Sequence, residues 1–272
     1  MKTSNPVLAR LGQAAERERA AGYAPTGGPG QQPGYGQPYP TADGYPAAPP
    51  TVAPMTVDDV VVKTVTLLGL TGAAAVATWV LVPDALIGLA MIGGVVIGLV
   101  LGLIISFSKM ANPALVVAYA LFEGVFVGAI SKVFESLYNG IVLQAVVATF
   151  GVFLLMAVLY RAKVIRATPK FTRGLIAVMA GLFAVMLINL VLTLFGFDTG
   201  LRSGGPLAIG FSLICIVVAS LSFILSFNEV EEGVRMGLPQ RYSWIAAFGI
   251  LVSLIWLYVE ILRLLSFFQG DD

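Results

Sequence analysis

The sequence predicts an all-α integral membrane protein that crosses the bilayer with seven transmembrane helices. Three observations carry that prediction. The chain is 58% hydrophobic and 11% charged, with a mean hydropathy of +0.90, far from the average of soluble domains. Between residues 55 and 272 it contains seven apolar runs, each near the ~20 residues that span a hydrocarbon core. Charged or turn-forming residues separate the runs. The runs are too long and continuous for barrel strands, and a helix satisfies its own backbone in lipid.

The chain divides into a tail, residues 1–54, and a membrane domain, residues 55–272. Met1 to about Ala21 has the mixed charge of a short surface helix. It holds no apolar core of the kind a cleavable signal peptide needs. From Gly22 to Pro54 the sequence begins GYAPTGGPGQQPGYGQPYP. Such a composition buries too little apolar surface to offset its ordering entropy. The expectation is a disordered cytoplasmic spacer.

Thr56, followed by Asp58 and Asp59, has the pattern of a helix N-cap with acids in the first turn. The first segment then covers about Val60–Val82 and ends at Pro83-Asp84. The second covers Ala85–Phe107, broken by Ser108, Lys109, Asn112 and Pro113. Segments three and four cover Ala114–Phe134 and Ile141–Tyr160. A basic loop, RAKVIRATPKFTR, precedes segment five at Gly174–Phe195. A Gly-rich turn over Asp198–Pro206 leads to segment six, Leu207–Phe227. The charged stretch NEVEEGVRMGLPQR then connects to segment seven, Tyr242–Phe268. The small residues of GLAMIGGVVIGLVLG and EGVFVGAIS allow close helix packing. Packing explains them, and no chemistry is assigned to these glycines.

Basic residues set the expected orientation. Lys2, Arg10, Arg17 and Arg19 lie in the tail, and Arg161, Lys163, Arg166, Lys170 and Arg173 in the loop after segment four. Lys109, Arg235 and Arg241 fall on the same side, whereas Lys132 and Arg202 fall on the other. The expectation is a multi-pass protein of the cell (plasma) membrane, N-terminus cytoplasmic and C-terminus outside.

Residue types exclude several functions. There is no histidine, so His zinc sites and Ser-His dyads are excluded. The single cysteine, Cys215, cannot form an intrachain disulfide and reads as packing. Segment seven holds no lysine for a retinal Schiff base, and no paired aspartates lie inside the spans. No nucleophile–base set is visible, so an enzyme is the least expected class.

The residues left to carry chemistry are acids in apolar surroundings. Glu260 lies inside segment seven with Arg263 three residues on, within reach on one helix face. An ionised carboxylate against lipid costs at least about 3 kcal/mol, so Glu260 should face protein or water. Glu123 occupies the middle of segment three. Each reads either as a structural bond within the bundle or as a proton- or cation-responsive group. Carboxylate oxygens are the hard ligands that Ca²⁺ prefers, which makes Glu260 a candidate Ca²⁺ contact. Asn228, Glu229, Glu231 and Glu232 close segment six. They read as a solvated helix end or as a gate. Asn189 is expected to form a helix–helix hydrogen bond, and Asn112-Pro113 a turn.

Three stretches resemble the Bax-inhibitor (transmembrane BAX inhibitor motif) family, which includes bacterial calcium-leak members. They are ANPALVVAYALFEGVFVGAIS, FILSFNEVEEG and LYVEILRLLSFF. The resemblance covers about Met55 to Asp272. It implies a bundle with the seventh helix central, and a pH-sensitive calcium leak governed by an acid pair on helices six and seven. The helix-seven acid matches Glu260, or falls at Ser253 if the closing Arg-Leu-Leu is the anchor. The helix-six position falls at Asn228, with Glu229 or Glu231 close by. The expected function is therefore a pH-sensitive calcium (cation) leak, with Ca²⁺ as transported ion and no cofactor. The alternative is a non-conducting regulator of a membrane protease or stress response, acting through contacts.

Overall fold

The computed structural model describes residue 17 and residues 53–108, 112–197, 199–201 and 205–270. The expected tail lies almost wholly outside these residues, as do Lys109, Asp198 and Arg202. Seven long apolar helices fill the described chain, each able by length and composition to cross a membrane. They are α1 (Val57–Leu81), α2 (Asp84–Phe107), α3 (Pro113–Leu137), α4 (Ile141–Arg161), α5 (Pro169–Leu194), α6 (Pro206–Arg235) and α7 (Ser243–Gln269).

Local sequence sets the boundaries. Thr56 and Asp59 form a reciprocal capping box at the start of α1: Thr56 Oγ1 accepts the Asp59 amide at 3.1 Å, and Asp59 Oδ2 accepts the Thr56 amide at 3.0 Å. Pro83 separates α1 from α2. Asn112 caps α3 through the Ala114 amide at 3.0 Å, with Pro113 in the first turn. Gly140, at φ 82°, turns the chain into α4. The Glu135 carboxylate accepts the Gly140 and Val142 amides there, at 2.7 and 3.1 Å.

Two boundaries differ from the sequence expectation by more than one helical turn. Helix α5 begins at Pro169 rather than Gly174, because Thr168 caps it through the Phe171 amide. Helix α6 runs on through Asn228–Arg235 rather than stopping at Phe227. Nothing in NEVEEGVR breaks a helix, and the first strong stop is Gly237 (φ 63°) followed by Pro239. The acids of this extension are tied down: Tyr160 Oη of α4 donates to Glu231 Oε2 at 2.6 Å, and Glu232 pairs with Arg235 at 3.6 Å.

Helix α7 is the axis of the bundle. It packs against α1, α3, α4 and α6, whereas α2 leans on α3 and α5 on α6. Its most apolar stretch is 61% buried, against 11% for α2 and for α5. Leu251, Leu257 and Leu262 of α7 are fully enclosed, as are Phe223 and Ile224 of α6. The outer helices turn apolar side chains outward, among them Val61, Leu89, Leu143 and Ile188. In water such a surface would aggregate; in a bilayer it meets lipid.

Glycine allows the closest approaches. A Cβ on Gly124 would lie 2.5 Å from the Thr71 carbonyl oxygen and 2.6 Å from Ala74 Cβ. One on Gly128 would strike the Ala75 backbone. These two glycines, four residues apart, let α3 lie directly on α1. Across the contact Thr71 Oγ1 donates to the Ala120 carbonyl at 3.1 Å.

The ends of the bundle are also tied. At the end where α1 begins, Ala53–Met55 runs antiparallel to Leu238–Gln240, with Met55 N–H on the Leu238 carbonyl (2.7 Å) and Gln240 N–H on that of Ala53 (2.9 Å). Gln240 also donates to Asp59 Oδ1 at 2.6 Å, and Lys63 donates to Ser243 Oγ. At the far end Lys132 of α3 donates to the Val82 carbonyl at 2.8 Å and pairs with Asp84 at 2.7 Å. One ammonium thus joins the end of α1 to the start of α2. Among the described residues Asn189 makes no bond between helices. Its Oδ1 accepts from Thr199 in the loop after α5, at 2.9 Å, because α5 touches only α6 closely and offers no facing helix there.

Candidate functional site: the polar seam between α6 and α7

Glu260 is 1% exposed. It sits about 26 Å along α7 from Ser243, well past mid-helix. Arg263 Nη1 donates to both of its carboxylate oxygens, at 2.8 and 2.9 Å. The two residues are three apart, so one turn of helix supplies both the charge and its counter-charge. Ser266 Oγ donates to the Arg263 carbonyl at 2.7 Å in the next turn.

The face that carries Glu260 is set by a second contact. Ser222 Oγ of α6 donates to Ser253 Oγ of α7 at 3.0 Å, both buried. Ser226 Oγ lies 3.9 Å from where a Cβ on Gly249 would stand, in the same antiparallel register. Glu260 is seven residues beyond Ser253, two turns along the same face. It therefore looks toward α6, level with Cys215, and Arg263 is level with Ser212. Ser212 is fully buried, and its Oγ has no hydrogen-bond partner among the described residues. Polar groups thus recur at intervals along the face between the two helices: Ser226, the Ser222–Ser253 pair, then about 10 Å further along α7 the Glu260–Arg263 pair, level with Ser212.

The sequence-chosen residues fall in three separate places. Glu260 and Arg263 form one. Asn228 is level with Ala247 in this register, about 20 Å along the axis from Glu260. Glu229 and Glu231 lie exposed beside it, with Glu231 engaged by Tyr160. Asn228 and these acids do not meet Glu260. Glu123 is the third place. Its carboxylate lies over Gly98 of α2, where a Cβ would come within 2.7 Å of Oε1. Among the described residues no group of three or more His, Cys, Asp or Glu side chains is placed to hold a metal ion.

Composition did not single out Ser212, Ser222 or Ser226. The available signal was their spacing along one side of an otherwise apolar helix. Replacing Ser222 by Ala is expected to cost about 0.6 kcal/mol, the average of hydrogen bonds between membrane helices. The midpoint of thermal unfolding in detergent, against Ser220→Ala on the same helix, checks this.

The fold and seam define a class: a multi-pass α-helical membrane protein whose central helix carries a buried, internally paired acid. The chain belongs to the Bax inhibitor 1 like family, whose model matches residues 5–270. A search of curated proteins found no match.

Proposed function

We propose that the chain is a cation leak pathway for Ca²⁺, running along the α6–α7 seam with Glu260 as its control point. The observation that carries this reading is one carboxylate, 1% exposed, on the central helix and on the face of the serine pair. Burying an ion pair contributes little net stability, since desolvation offsets attraction. A pair retained in the axis of the bundle therefore suits a functional role better than a structural one. Arg263 occupies the position a passing cation would take, so opening amounts to exchange of the guanidinium for the cation. We assign the pH response of the pathway to this buried pair. Asn228, Glu229 and Glu231 stand at the end of the bundle where α1 begins, and we assign them to its mouth. The basic loop after α4, at the same end, supports assigning that mouth to the cytoplasmic side of an inner membrane.

The test is calcium flux into vesicles of purified protein loaded with a fluorescent indicator, across a range of pH. Wild type should pass calcium above empty vesicles. Glu260→Gln combined with Arg263→Met, which strands neither charge, should keep the fold and flatten the pH response. Equal flux in protein and empty vesicles would overturn the proposal and favour the non-conducting regulator.

A further inference from the structure

A groove of about 540 Å³ lies between α1 and α4, floored by α3 and α7. Gly72 and Ala75 form one wall, Val146 and Phe150 the other, and Gly128 and Leu254 lie on the floor. Its rim is continuous with the lipid-facing surface, since Val76 and Val80 of α1 line it and are 63% and 72% exposed. Its hydroxyl groups are already satisfied within the protein. Ser131 and Tyr258 bond each other at 2.6 Å, Thr71 donates to the Ala120 carbonyl at 3.1 Å, and Thr149 to that of Ala145 at 2.7 Å. Apart from the Trp79 indole N–H at one end, the lining offers an occupant no hydrogen bond, so the occupant must be mainly hydrocarbon.

Size selects among hydrocarbons. From Leu68 to Val80 the groove follows α1 for about 18 Å. One leaflet of a bilayer has about 15 Å of hydrocarbon. A second helix, about 10 Å across, would need more than twice the volume over that length. A single extended chain fits. At the far end of the groove Trp79 lies about one helical turn before Val82, whose carbonyl accepts from Lys132. An indole at that level suits the boundary between acyl chains and headgroups.

We propose that the groove is a binding site for one acyl chain of a phospholipid in the leaflet at the far end of the bundle. The site is distinct from the α6–α7 seam: Tyr258, on its floor, faces α3, whereas Glu260 faces α6. The lipid replaces the missing contact between α1 and α4 and covers the Ser131–Tyr258 bond.

The test is native mass spectrometry of the full-length protein, reconstituted in phosphatidylcholine vesicles and re-extracted in mild detergent. Wild type should retain one phospholipid through repeated detergent washing. A Cβ on Gly72 meets no atom within 4 Å, so Gly72→Leu should fill the groove without disturbing the fold. It should lose the adduct while keeping its helical circular dichroism and its melting temperature. Val146→Phe, on the opposite wall, should do the same independently. Wild type with no retained phospholipid, a retained free fatty acid in its place, or undiminished phospholipid in both folded variants would overturn the proposal.

Discussion

Arg263→Ala should destabilise the protein by about 3–5 kcal/mol, the usual consequence of stranding one member of a buried ion pair. The argument rests on enclosure. Glu260 is 1% exposed, and both of its carboxylate oxygens accept from a single guanidinium nitrogen. Removing that donor leaves a carboxylate inside the helix bundle that must lose its charge or draw in water. The double change Glu260→Gln with Arg263→Met removes both charges together, so it should recover most of the loss. Unfolding midpoints in a fixed detergent separate the cases. If Arg263→Ala alone stays within about 1 kcal/mol of wild type, the pair contributes only what a surface bridge does. The seam would then have to be wet.

Gly128→Leu should be more disruptive still. Overpacking a core typically costs about 1–3 kcal/mol, and more where nothing can move aside. Here the atoms met first are the backbone of Ala75, not the end of a flexible side chain. Accommodating the new side chain means prising α1 from α3, the most extensive helix contact in the bundle. The expected outcome is loss of the monodisperse protein peak on size exclusion. Gly151→Leu, whose Cβ would meet no atom within 4 Å, should leave that peak intact. Matching behaviour of the two variants would mean that the α1–α3 contact is dispensable.

Much of the fold was legible in the sequence because bilayer thickness and backbone satisfaction leave few choices. Pro83, Asn112-Pro113 and Gly140 punctuate the apolar runs where the helices end. What misled was charge. The stretch after Phe227 looked like a loop because it is polar, yet polarity does not break a helix, and α6 continues to Arg235. The site was half legible. Glu260 stood out as an acid in an apolar run, and spacing alone placed Arg263 beside it. Spacing along one chain says nothing of the register between two helices. That register, fixed by Ser222 and Ser253, separates Asn228 from Glu260 and brings Ser212 level with Arg263. Asn189 failed for the same reason, since its partner is a loop residue that no helical pattern marks.

The short antiparallel clip between Ala53–Met55 and Leu238–Gln240 has a mechanical consequence. It couples the first and last spans at their roots, although nearly the whole domain separates them in sequence. A force applied through residues 1–52, by a tether, a fused tag or a captured neighbour, would be delivered to the base of α7 before reaching any other helix. Whatever grips the front of this polypeptide thus holds a lever on its innermost rod.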